Sequence, residues 1–214
     1  MKAIAVFGAA GAVGRRVVAE AVARGHRVTG VVRHTGRAVE LPDSVVPAFS
    51  EAGDAQAIRA ILRRQDVAVM TLRPPAGREA DLVAYTHVML RAAYETGVPV
   101  LVVGGAASLR FPDRPDWTVL TRPGFLPDSV RPIAEACHAQ RALFLDQADG
   151  RSSHICPPAT LEPGHRTGRY RLGTDMLVTG PEGDARISLE DFAVAIMDEA
   201  ESRSHAGRSF TVGW

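Results

Sequence analysis

Three glycines at positions 8, 11 and 14 stand between an apolar run and a helical pattern, a spacing suited to binding an anion. The run Ala3-Ile4-Ala5-Val6-Phe7 reads as a strand buried on both faces. Beyond it, Val13, Val17, Ala21 and Val22 share one helical stripe. The glycines therefore occupy a strand-to-helix turn. Gly8 permits the tight turn, Gly11 lets backbone approach a phosphate, and Gly14 lets the helix pack close to the strand. The free N–H groups and positive dipole end of the helix then face the anion, with Ala10, Ala12 and Val13 forming the lip of the cradle. In this setting the pattern points to a dinucleotide.

The residue types that would do chemistry elsewhere are sparse. A Tyr-x-x-x-Lys pair, in which lysine lowers the tyrosine pKa for proton transfer, is excluded. Four residues after Tyr85, Tyr94 and Tyr170 come Met89, Val98 and Thr174, and Lys2 is the only lysine. Two groups remain. Ser108 follows the fifth predicted strand, where a hydroxyl reaches a bound ring or caps a helix. His138 lies on a later helix, as a proton donor or a surface imidazole. Its neighbour Cys137 points in another direction, since adjacent helical residues do not share a face. His154 and His165 read as structural or solvated. No metal spacing is present: there is no His-Glu-x-x-His, and Cys137 and Cys156 stand alone.

The elements that must hold these groups alternate. Strands are expected at Arg27–Val32, 45–49, 66–72 and 99–103, with helices at 55–64 and 78–96 between the later ones. This predicts a Rossmann-type, doubly wound α/β fold with a parallel sheet and right-handed crossovers, a single domain over 1–214. A small irregular substrate lobe covers about 108–135, with a short strand at 118–121. Its aromatics Phe111, Trp117 and Phe125 read as lobe core more than substrate wall. A helix over 132–147, strands at 153–156 and 210–212, and a helix capped by Ser188 follow.

In such a fold the end of the second strand meets the adenosine ribose, and an acid there favours NAD. Here the strand ends in Val32-Arg33-His34, with Arg37 close behind. A guanidinium suits the extra phosphate of NADPH; NADH stays open. Leu72 and Arg73 follow the fourth strand, where the loop borders the cofactor, and Arg73 either touches a phosphate or closes the sheet edge.

The chain resembles the atypical short-chain dehydrogenases, the group of biliverdin-IXβ reductase and bacterial NADH-flavin reductases. The matching stretches are 8–14, Val32-Arg33, 102–109, Pro157-Pro158-Ala159, 164–171, 187–193 and 210–213. The resemblance implies NADPH or NADH bound across the strand ends, and FMN, FAD or another conjugated molecule reduced in a shallow pocket. It carries the glycine turn and Arg33 over as cofactor contacts, Gly104 and its neighbours as the pocket floor, and Pro157-Pro158 as the edge facing the carboxamide. Where the family often has Gly-Asp after the third strand, this chain has Ala48-Phe49-Ser50. A non-catalytic cofactor sensor, like the nitrogen-metabolite repressors, and a dedicated tailoring reductase or isomerase are the competing readings.

With 214 residues, 46% of them hydrophobic, and a net charge of +1, the chain can bury a full core and shows no basic nucleic-acid face. No apolar run is long enough to span a membrane. A small-molecule substrate, a monomer or homodimer, no nucleic-acid or membrane partner, and a cytoplasmic setting are the expectations.

Overall fold

The computed structural model describes residues 1–214. The first half follows the expected alternation: β1 (Ala3–Phe7), α1 (Ala12–Ala23), β2 (Arg27–Val32), β3 (Val46–Phe49), α2 (Ala55–Leu62), β4 (Val67–Met70), α3 (Asp81–Thr96) and β5 (Val100–Val103). The second half adds β6 (Arg110–Phe111), β7 (Arg114–Thr118), α4 (Arg131–Gln147), β8 (Ser153–Cys156), β9 (Thr160–Glu162), β10 (Arg171–Gly173), β11 (Arg186–Ser188), α5 (Leu189–Ser202) and β12 (Ser209–Gly213).

The main sheet has the order β10-β12-β8-β5-β4-β1-β2-β3. The chain winds outward from β1 in one direction through β2 and β3, and in the other through β4, β5 and β8. The switch point between β1 and β4 is where an open α/β sheet leaves a crevice for a ligand. Every residue of β1 is buried because helices cover both faces. One core layer, including Val17, Ala21, Phe192 and Ile196, lies under α1 and α5. The other, including Ile58, Leu62, Met89 and Phe144, lies under α2, α3 and α4. The sheet is thus doubly wound, as the alternation predicted.

Three expectations need correction. The sheet is not wholly parallel, because β10 pairs antiparallel with β12 at its edge. Antiparallel pairing needs no crossover helix, so the helical period carried no sign of it. Of the short strand expected at 118–121 only Thr118 is extended, as the last residue of β7 in a hairpin with β6; residues 119–121 form a turn. There Thr118 and Thr121 exchange side-chain and backbone hydrogen bonds, closing a turn where β-branched residues suggested extension. The lobe aromatics also divide: Phe111 is buried with Leu109, Val119 and Leu177, whereas Trp117 and Phe125 are exposed.

The stretch 164–171 and the start of α5 lock together. Ser188 caps α5 through the Asp191 N–H, as expected. The Asp191 carboxylate is fully buried and accepts from the N–H groups of Thr167 and Gly168, at 2.8 Å each, and from Trp214 Nε1. Glu20 on α1 takes two hydrogen bonds from Arg166 and one from Arg24, all at 2.8 Å. These bonds, Arg166 foremost, hold its carboxyl below the ordinary range. No helix is long and apolar enough to cross a membrane.

Candidate active site

The chain leaves β1 into a turn that only glycine fits at two points. Gly8 has φ +84°, and its N–H, like that of Ala9, donates to Val31 O. A Cβ on Gly14 would lie 2.1 Å from Gly8 O, so side-chain-free contact lets α1 press against the turn. Thr71, at the end of β4, braces the turn by donating from Oγ1 to Phe7 O at 2.8 Å. Arg37 braces it from the other side by donating from Nη2 to Ala10 O at 3.0 Å.

The α1 N-terminus carries no side-chain cap at Gly11 and no acidic residue in its first turn. The first-turn N–H groups and the positive dipole end therefore suit an anion. That uncapped end opens, through Ala12 and Val13, into a cleft of about 570 Å³. The residues present fit a dinucleotide there: a diphosphate at the helix end and a ring deeper in the cleft.

Of the 23 residues lining the cleft 17 are hydrophobic, and Arg73 is the one charged side chain among them. The ends of β4, β5 and β8 supply Leu72, Gly104 and Pro157-Pro158, and the irregular segment supplies Phe125. Such a cleft favours a flat, largely apolar ring held by stacking and backbone groups. Cys137 also lines it, and burial pushes its thiol up to about 11, against a weaker opposite pull from Arg73. It remains a protonated, apolar wall rather than a nucleophile.

Gly104 is glycine for a reason beneath the cleft: a Cβ there would lie 2.3 Å from His154 Nε2. His154 lies within β8, fully buried, with Nδ1 3.0 Å from Ser209 Oγ. Burial drives its pKa down to about 3, so the ring stays neutral. This is the structural histidine among the two set aside above; His165 is exposed.

Among the sequence candidates, Ala12, Val13, Leu72, Arg73, Gly104, Pro157 and Pro158 line the cleft, and Gly8, Ala10, Gly11 and Gly14 build the turn behind its mouth. Arg33 is exposed just beyond β2, outside the cleft lining. Ser108 and His138, 30 residues apart, meet: Ser108 Oγ is 2.9 Å from His138 Nδ1. The pair adjoins the cleft, next to its lining residues Ala107 and Cys137, without being part of the lining. Cys137 lines the cleft, whereas its neighbour on α4, His138, is exposed and lies outside the lining, since adjacent helical residues do not share a face. Lys2 is remote, donating from Nζ to Ala200 O and Glu201 O at the end of α5.

Sequence reasoning missed Thr71 and ranked the two roles of Phe125 in the wrong order. Thr71 shows its role only through contact with a strand 64 residues away. Phe125, which reads in the sequence as lobe core more than substrate wall, forms a wall of the cleft.

A family model described as NAD(P)H-binding matches residues 8–202. The chain is similar in structure to an exported protein, so named provisionally, from Burkholderia pseudomallei, with 32% identity, full coverage of both chains and a TM-score of 0.88. A Bacteroides thetaiotaomicron protein provisionally named an epimerase is 28% identical, with 100% of this chain and 97% of that chain covered and a TM-score of 0.89. A Streptococcus pneumoniae protein provisionally named an NADH-flavin reductase shares the fold at 24% identity, with 100% and 99% coverage and a TM-score of 0.85.

Proposed function

From a chain that belongs to the NAD(P)H-binding family, we propose an NADPH-dependent reductase that passes hydride to a flavin-like or other flat conjugated acceptor. The observation that carries the reading is the apolar cleft running from the uncapped end of α1 to Gly104 and Pro157-Pro158. The names of the similar structures diverge, so the site bears the weight rather than any one of them.

NADPH, when bound, supplies the hydride. The protein supplies the rest. The first-turn N–H groups of α1 take the diphosphate, and Arg33 takes the extra phosphate on the ribose. Leu72, Pro157 and Pro158 exclude water around the ring and hold an acceptor plane against it. An acceptor that gains hydride also needs a proton. Ser108 and His138 are the proposed donors for acceptors that cannot take it from water, with His138 recharging the Ser108 hydroxyl across their 2.9 Å contact.

The second reading is a cofactor sensor, favoured by the placement of Lys2, far from the cleft at the end of α5. One experiment separates the two. NADPH and NADH are titrated by nicotinamide fluorescence, and FMN or a small quinone is then added while nicotinamide absorbance is followed. Binding with oxidation supports the reductase. Binding without oxidation of any acceptor supports the sensor, and no binding overturns both.

A further inference from the structure

A second recess of about 750 Å³ lies beside the cleft and shares two lining residues with it, Phe125 and Ala159. The two spaces are thus neighbours divided by one exposed ring. On the far side, Phe111 meets Phe125 edge-on with ring centroids 4.9 Å apart. The Arg122 guanidinium lies 4.3 Å from the Phe111 ring centre and 6.0 Å from that of Phe125. That stacking holds the fork in place while its N–H donors stay free for a ligand.

The lining of this recess differs in kind from that of the cleft. Only 5 of its 14 residues are hydrophobic. Donors and acceptors are mixed in its lining: Arg122 donates, Asp113 and Asp184 accept, and the Thr160 and Thr179 hydroxyls do both. Asp184 is engaged by Arg186 at 3.1 Å, whereas Asp113 is exposed and in no ion pair. With Asp184 paired to Arg186, the charges left unpaired are the Asp113 carboxylate and the Arg122 guanidinium, a neutral set that gives a phosphate no net attraction. Hydroxyl groups, each giving one hydrogen bond and taking others, match such a mixed lining.

We infer that the acceptor is a two-part molecule, its flat ring in the apolar cleft and an uncharged polyhydroxylated tail passing Phe125 into the recess lined by Arg122, Asp113 and Thr160. This rests on the reductase reading for the ring and adds the chemistry of the tail.

The test uses three flavins with one ring and different tails: lumiflavin with a methyl, riboflavin with a polyol, and FMN with a phosphorylated polyol. Binding to the NADP⁺-loaded protein, where no hydride can move, is read by flavin fluorescence. Riboflavin is expected to bind roughly tenfold tighter than lumiflavin, as one or two hydrogen bonds to charged groups allow, and FMN no tighter than riboflavin. Asp113→Ala, at an exposed site with little bearing on folding, brings riboflavin towards lumiflavin and leaves lumiflavin unchanged. Thr160→Val does the same. Equal binding of riboflavin and lumiflavin, a clear preference for FMN, indifference to both substitutions, or no flavin binding overturns the inference. Oxidation of NADPH by a small tailless quinone is measured separately. Failure there with the tail preference intact sinks the reductase and leaves the tail site standing; the converse sinks only the tail site.

Discussion

Removing the Arg33 side chain should separate the two nicotinamide cofactors. Arg33 is exposed at the end of β2 and has no carboxylate to occupy it. A hydrogen bond to a charged group contributes about 1.5–3 kcal/mol when well shielded, and an exposed ion pair about 0.2–1 kcal/mol. A guanidinium meeting a phosphate at an open strand end lies between these, at about 1–2 kcal/mol, or roughly a 5- to 30-fold loss of NADPH affinity. NADH, lacking that phosphate, should bind Arg33→Ala as it binds the parent protein. Arg37→Ala is the contrasting case. Arg37 is bound to Ala10 O at 3.0 Å and to Glu40 at 3.0 Å, so it supports the glycine turn rather than waiting for a ligand. Its loss should weaken NADPH and NADH alike. The assay is nicotinamide fluorescence titration of both cofactors at low and at physiological salt, where screening should shrink the Arg33 effect. Equal weakening of both cofactors by Arg33→Ala, or no weakening of either, would refute the placement of the extra phosphate at Arg33.

Gly14→Ala puts a Cβ where Gly8 O lies 2.1 Å away, so α1 must move off the turn. Overpacking of this kind costs about 1–3 kcal/mol, and thermal melting should fall by roughly 3–10 °C with cofactor binding lost; an unchanged melt and affinity would contradict the close approach. Stability should also decline in mild acid because of His154. Its folded pKa is depressed to about 3, against 6.5 unfolded, so below pH 6.5 the unfolded chain takes up a proton the native one refuses. That removes about 1.4 kcal/mol per pH unit until pH 3 is approached, an upper figure for this one group. Denaturant melts at pH 7 and pH 5 should show a smaller acid loss in His154→Gln than in the parent; equal losses would refute the assignment.

The glycine turn was legible because its causes are local. A buried apolar run, a positive-φ glycine and a helical stripe lie within about twenty residues, and each follows from the steric and hydrogen-bonding demands of its own segment. The alternation of the first half was legible likewise, since parallel strands are usually joined by a crossover helix whose 3.6-residue period shows in the sequence, β2 and β3 being joined instead without an α-helix. The absence of a Tyr-x-x-x-Lys pair could be read directly, because chemistry that needs a residue fails without it.

The second half resisted because its elements are short and its contacts distant. β10 spans three residues and pairs with β12 some 40 positions later, so neither strand has a period long enough to announce the pairing. Phe125 has the same side chain whether it fills a core or walls a cleft; only the hairpin beneath it decides that it stands exposed. Ser108 and His138 were each visible as a candidate, but no rule of spacing joins positions 30 residues apart.

The sequence by itself determined the strand–helix alternation of the first half, the glycine turn between β1 and α1 and the absence of a Tyr-x-x-x-Lys pair. The tertiary structure alone decided that Ser108 meets His138, that His154 forbids a side chain at Gly104, and that a polar recess adjoins the apolar cleft. Local conformation is governed by neighbouring residues, whereas these contacts exist only after the crossovers have brought the ends of separate strands to one edge of the sheet.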